Sequence, residues 1–331
     1  MMTERKLLIL EPVQAKHLEE IKKTVKDSFI IKQLKQLPNS CSREELKAEL
    51  KDAEIVIGQP PLDLLQNPEV NCPKLKLIQM TWAGTDIYTR SELDFPKDRI
   101  VLANASGAFG MAMSQFALGM ILSVMFNFKD YHIQQQNRIW EKKGPVKSLD
   151  KAKVLIFGAG DIGSAIAKRL TGFDAYCIGV CRNTDKPRAY FNETCSLEDA
   201  QRYLPDADVV IGCIPSAFET EKYMNYERLN SMKEDAIIVN VGRGNFIDCM
   251  ALDELLRQGH LHGAALDVTD PEPLPKDHPL WSNPKCMITP HTSGTTFGHL
   301  DATEDLLCEI VCDNLSRYCK GEEIINRVYK G

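Results

Sequence analysis

The sequence predicts an α/β protein with two doubly wound parallel-sheet domains and a cleft between them. Three observations predict it. The N-terminal third alternates short apolar runs with amphipathic segments, a second and cleaner alternation begins at Lys153, and each implies parallel strands covered by helices. The chain of 331 residues also exceeds one small domain, at a prior of about 150 residues per domain.

In the first series, residues 6–10, 54–57 and 75–80 read as strands. Ser42-Arg43-Glu44-Glu45 is a capping box that opens a helix through Leu50. Residues 108–128 form a largely apolar stretch broken by Ser114, Gln115, Ser123 and Asn127. It reads as a buried helix rather than a membrane span. In the second series, apolar runs at 154–157, 175–180, 208–213, 236–241 and 263–268 alternate with helical stretches such as 162–170 and 248–258. Near-continuous apolar strands are expected where both faces of a parallel sheet are covered. Residues 300–318 place Leu307, Val311, Leu315 and Tyr318 on one helical face, with Gly321 as the stop.

Composition excludes several function classes. Forty Lys plus Arg stand against 46 Asp plus Glu, a net charge of −6, with a sequence pI near 5.7. That balance provides no global drive toward nucleic acid or an anionic membrane. The 11 cysteines include no Cys-x-x-Cys and no His cluster at zinc spacing, so no metal is expected. Cys308 and Cys312, one helical turn apart, read as small core residues. The four apolar residues after Lys6 are too few for a signal peptide. A cytoplasmic protein with reduced thiols is expected.

Gly158-Ala159-Gly160-Asp161-Ile162-Gly163 follows a strand and opens a helix. Gly158 permits the tight turn, Gly160 lets backbone approach a pyrophosphate, and Gly163 permits close helix–strand packing. The N–H groups at Asp161 and Ile162 open the helix toward the phosphates. The next strand ends in Val180-Cys181-Arg182-Asn183, with no carboxylate to bind a ribose diol. Arg182, with Lys186 and Arg188 beyond it, places positive charge where a 2′-phosphate would sit. NADP is therefore the expected preference, with NAD possible, and the alternative is a solvated basic turn.

Three further segments carry chemistry. Arg243 sits between Gly242 and Gly244 after a strand, Glu272 lies in the Pro-rich loop after Asp267, and His291 follows Thr289-Pro290. All three fall beyond the carboxyl ends of strands, where such sheets present ligand sites. With the Trp82-Ala83-Gly84-Thr85-Asp86 turn and Leu280-Trp281, these motifs make nearly the whole chain resemble the D-2-hydroxyacid dehydrogenase family.

That resemblance implies two flavodoxin- or Rossmann-like domains. Residues 104–291 would be the dinucleotide domain, and residues 1–103 plus the C-terminal helix at 292–331 the substrate domain. It implies that His291 is the acid and base, that Glu272 orients it, and that Arg243 grips the substrate carboxylate with its planar fork. Ala83 and Gly84 would bind the same carboxylate through backbone N–H groups. Cys213, Pro215, Val241, Gly242, Asp267 and Ser293 would join His291 along the cofactor, with Asp267 meeting the carboxamide.

Three departures bear on the cofactor or leave the reaction untouched. No acid stands near Ser114-Gln115, Cys181 takes the ribose-binding position, and no threonine follows Pro215. The short stretch after the last helix leaves no room for the regulatory domain of larger phosphoglycerate dehydrogenases.

The expected function is therefore reduction of a small 2-keto acid, glyoxylate or hydroxypyruvate among the candidates, by a homodimer contacting through residues 108–128. The alternative is a dinucleotide-sensing scaffold like the corepressors built on this fold, which a turnover assay separates from an enzyme. Formate or phosphite oxidation would need a pocket for a very small substrate, for which the sequence carries no marker.

Overall fold

The structure is a computed structural model that describes residues 5–34, 42–90, 92–294 and 300–329. The chain forms two compact units, Met1–Phe109 with Thr295–Gly331, and Gly110–Gly294. These divisions fall a few residues beyond the expected 103/104 and 291/292. Local hydrogen bonds give the reason. Asn104 N–H donates to Asn326 O and Ala105 N–H to Trp82 O, which keeps the segment in the first unit. Thr292 and Ser293 donate their amides to Asp267, which keeps them in the second.

The first unit runs β1 (Lys6–Ile9), α1 (Ala15–Val25), β2 (Ile30–Gln33), α2 (Arg43–Asp52), β3 (Ala53–Ile57), α3 (Pro68–Asn71), β4 (Leu77–Gln79), α4 (Asp86–Thr89) and β5 (Val101–Ala103). Its five strands are all parallel and ordered β2-β1-β3-β4-β5. The α2 capping box forms as expected, with Ser42 and Glu45 satisfying each other's backbone N–H. Leu8, Val56, Ile78 and Leu102 point to one face and pack on Leu46 and Leu50 of α2. The C-terminal helix, α10 (Asp301–Lys320), packs on α1 over this sheet and stops at Gly321, whose φ of 71° suits glycine.

The second unit contains α5 (Gly110–Met125), α6 (Phe128–Gln136), β6 (Lys153–Phe157), α7 (Asp161–Leu170), β7 (Tyr176–Val180), β8 (Glu193–Cys195) and β9 (Val209–Gly212). It continues with α8 (Tyr226–Asn230), β10 (Ile237–Asn240), α9 (Cys249–Gln258), β11 (Gly263–Leu266) and β12 (Cys286–Ile288). The seven parallel strands are ordered β12-β11-β10-β9-β6-β7-β8. The strand order therefore reverses between β6 and β9, the position where doubly wound sheets bind ligands. Alternation explains the continuous apolar runs. Val154, Ile156, Val209, Ile211, Ile237 and Val239 enter the core beneath α5 and α7. Leu155, Phe157, Val210 and Ile238 enter the core on the opposite face with Leu252 and Leu255 of α9. Each such side chain contributes roughly 1.5–3 kcal/mol on burial.

The helix expected over 108–128 is α5, which ends at Met125, and a second helix, α6, starts at Phe128. Asn127 adopts a left-handed conformation, φ 56°, which asparagine tolerates better than most residues, and α6 leaves at 68° to α5. Ala112, Ala117, Met120, Ile121 and Met125 of α5 are buried. Among the described residues no single helix is long and apolar enough to cross a membrane.

Candidate active site

Pairing register builds the site. Asn240 lies opposite Leu266, and Leu266 opposite Ile288, so β10, β11 and β12 end level with one another. The loops carrying Arg243, Asp267 with Glu272, and His291 therefore leave the sheet side by side. The β9 end adjoins them through the bond from Val241 N–H to Gly212 O, and the β6 end, with Gly158, adjoins β9 through the bond from Cys213 N–H to Phe157 O. Arg182 and Asn183 follow β7 at the same edge.

The glycine loop is closely packed where the motif requires it. Gly158 has φ 106°, and a Cβ on Gly163 would lie 1.8 Å from Gly158 O. Any side chain at Gly163 would push the helix from the strand. Gly160, by contrast, is exposed and a Cβ there would meet nothing within 4 Å. The open backbone there, at the N-terminus of the ten-residue α7, is a cradle that fits a dinucleotide phosphate. Cys213 donates its thiol to Phe157 O and Gly158 O, and burial pushes that thiol up to about 12. It therefore remains a neutral thiol held against the loop. At the end of β7, Cys181 bonds Asn183 O and Arg182 is exposed. Arg188 donates to Ala159 O at 2.8 Å, tying the basic segment to the glycine loop.

The Arg243 loop is shaped by Asn240, whose amide donates to Arg243 O and accepts from Gly242 N–H. In the next loop, Glu272 accepts from Thr269 N–H through Oε1. Its Oε2 lies 2.8 Å from Nδ1 of His291, which donates to it. This bond, opposed by burial, raises the His291 pKa, and the Glu272 charge adds to the rise while Arg243 opposes it. For Glu272, burial pushes upward, but the bond and charge of His291, the Thr269 amide and the Arg243 charge hold the carboxyl below its ordinary value. The result is a half-exposed imidazole, oriented through Nδ1 and favoured in its protonated form, with Nε2 left for a reactant.

Asp267 holds this histidine in place more directly than the sequence indicates. It is 1% exposed, and its carboxylate accepts from Thr289 Oγ1, Thr292 N–H and Ser293 N–H. Its carbonyl accepts from His291 N–H. Thr289 and Thr292 thus belong to the site's scaffold, a role their spacing alone does not signal. Pro215 is exposed beyond β9, Val241 is buried behind Arg243, and Ser293 is buried with no partner for its hydroxyl among the described residues.

Ala83 and Gly84 belong to the first unit, in the turn after β4. Ala105 N–H donates to Trp82 O, and Asn104 donates to Ala83 O. The amides of Ala83 and Gly84 meet no acceptor among the described residues. They form a small, partly exposed pair of donors suited to an anion.

Comparison with known proteins agrees with this fold. The family profile for the NAD binding domain of D-isomer specific 2-hydroxyacid dehydrogenases matches residues 118–293. An uncharacterized protein of Corynebacterium melassecola is 32% identical over 292 residues, which cover 85% of this chain and 90% of that protein. The glyoxylate reductase of Thermofilum pendens is 30% identical over 295 residues, 85% of this chain and 83% of its own. A solved D-isomer specific 2-hydroxyacid dehydrogenase family protein from Aeromonas salmonicida subsp. salmonicida superposes with a TM-score of 0.82 at 30% identity. The match covers 98% of this chain and 99% of that one.

Proposed function

The chain belongs to the D-isomer specific 2-hydroxyacid dehydrogenase family and is an NAD(P)-dependent oxidoreductase of 2-hydroxy acids. From that premise we propose that Arg243, Glu272 and His291 carry the reaction. The observation that carries this reading is the 2.8 Å bond between His291 and Glu272, beside Arg243 on adjacent strand ends. Gly110–Gly294 is then the cofactor domain, and Met1–Phe109 with Thr295–Gly331 the substrate domain.

Gly158, Gly160, Asp161, Ile162 and Gly163 would hold the pyrophosphate, and Cys213, Pro215, Val241, Gly242, Asp267 and Ser293 would flank the nicotinamide. When bound, the nicotinamide supplies the hydride for keto-acid reduction and accepts it in the reverse direction. Arg243 grips the substrate carboxylate with paired N–H donors and polarises the adjacent carbonyl. Ala83 and Gly84 donate their free amides to that carboxylate. His291 gives its Nε2 proton to the keto oxygen, and Glu272 stabilises the imidazolium until then. In the oxidation of a hydroxy acid, neutral His291 takes the proton back.

The preferred cofactor is NADPH. Cys181 presents no carboxylate to repel a 2′-phosphate, and exposed Arg182 can meet it with charge-assisted hydrogen bonds. Such bonds are worth about 1.5–3 kcal/mol each, or roughly tenfold to hundredfold discrimination. A panel of 2-keto acids assayed with both reduced cofactors tests function and preference together. Turnover is expected, with a higher kcat/KM for NADPH that Arg182→Ala removes. No turnover on any keto acid would favour the sensing scaffold, and an Arg182→Ala loss equal for NADH would defeat the phosphate reading.

The active form is a homodimer, and its location the cytoplasm. Phe126, Phe128, Ile133, Ile139, Trp140 and Val146 are exposed apolar residues along one short segment, and Trp140 is fully exposed. So dense a run supports a covered face. The cysteines serve as apolar packing, with Cys177, Cys195 and Cys286 buried in the sheet cores, which suits a reducing compartment. Light scattering at micromolar concentration should give twice the chain mass, and a monomer would contradict the dimer.

A further inference from the structure

Beneath the anion-binding turn at 82–84 lies a polar cluster that the reaction does not use. Glu11 follows β1, Gln59 follows β3 and Thr81 follows β4, so three neighbouring strands of the first unit bring them to one sheet edge. The strand order reverses between β1 and β3 there. Glu11 and Thr81 are almost fully buried. Thr81 donates its hydroxyl to Glu11 Oε2 at 2.9 Å. With the Gln59 amide oriented to satisfy both its ends, Oε1 accepts from Thr81 N–H at 2.8 Å and Trp82 N–H at 3.1 Å. Its Nε2 then donates to the other oxygen of Glu11.

Gln59 therefore occupies the first two amides of the turn, while the next two, Ala83 and Gly84, stay without an acceptor. The carbonyls of Trp82 and Ala83 are already held from the other side by Ala105 and Asn104. We propose that Glu11, acting through Gln59 and Thr81, is a positioning residue that fixes this turn with its free amides set to receive the substrate carboxylate. The inference rests on the reading of Ala83 and Gly84 given above. It makes Glu11 and Gln59 determinants of keto-acid affinity rather than of proton or hydride transfer.

Burial pushes the Glu11 carboxyl up to about 7, with the Thr81 hydroxyl opposing the rise. Among the described residues, the other titratable groups at this corner are Tyr88, which donates to Pro60 O, and His17, Glu304 and Cys308, which line a small cavity with Thr81. Ionised Glu11 adds a negative charge two hydrogen bonds from the Trp82 amide, the neighbour of the Ala83 and Gly84 donors.

The test measures KM and kcat for the best keto acid of the panel in the parent, Gln59→Leu and Glu11→Gln, from below to above neutrality. Cofactor affinity is titrated separately by fluorescence. Gln59→Leu frees the turn and should raise keto-acid KM by roughly tenfold, with kcat and cofactor affinity nearly unchanged. Glu11→Gln keeps the size but cannot ionise, so the ratio of parent KM to variant KM should rise as pH passes about 7. A Gln59→Leu variant with parental KM, or a ratio flat across pH, overturns the proposal. Either result with normal parental turnover leaves the enzyme reading standing. A parent that turns over no keto acid removes that reading and this inference together.

Discussion

His291 sits in a left-handed backbone conformation, φ 52°, held there by its amide bond to Asp267 O. Its protonation links geometry to activity. In the proposed mechanism reduction requires protonated His291, and the Glu272 bond extends the protonated form to higher pH. In Glu272→Gln the negative charge is lost, so the His291 pKa should fall. The alkaline limit of keto-acid reduction should then move to lower pH in a kcat profile, and an unmoved limit would contradict the pairing. Arg243, Glu272 and His291 were legible in the sequence because each follows an apolar strand with Gly or Pro beside it. The anchoring by Asp267 was not, because its partners are two backbone amides and one hydroxyl that no side-chain pattern encodes.

The central strands β1, β3, β4, β6, β7, β9, β10 and β11 are legible because both of their faces are buried and each reads as an apolar run. The strands that escape sequence reading, β2, β5, β8 and β12, all lie at sheet edges. Ile30 in β2 is half exposed, and β8 is the three residues Glu193–Cys195. An edge strand has one neighbour and needs less apolar surface, so the pattern fades. Loop packing is equally hidden. A Cβ on Gly244 would lie 1.9 Å from Thr269 O, a contact between two loops distant in sequence. Gly244→Ala must push the Thr269 backbone, whose amide holds Glu272. It should lose about 1–3 kcal/mol of stability in chemical denaturation, and its kcat should fall with the displaced Glu272. Parental stability and turnover together would show that the loops have room to spare.

On the scale of the whole molecule, two parallel-sheet units divide the labour. The unit Gly110–Gly294 contains the glycine loop together with Arg243, Glu272 and His291, and the other unit contains the turn with Ala83 and Gly84. The two alternating series at the two ends of the chain made this division visible in the sequence. The return of α10 to the first unit was expected only from the family resemblance, since an amphipathic helix does not name the sheet it covers. The glycine loop and His291 share one unit but lie on different loops, so the proposed roles predict that binding and turnover separate. The most direct measurement is keto-acid reduction by His291→Ala, with NADPH binding titrated on the same preparation. The account predicts near-parental NADPH affinity with most of kcat lost; a variant that binds NADPH normally and still reduces keto acids at the parental rate would contradict it.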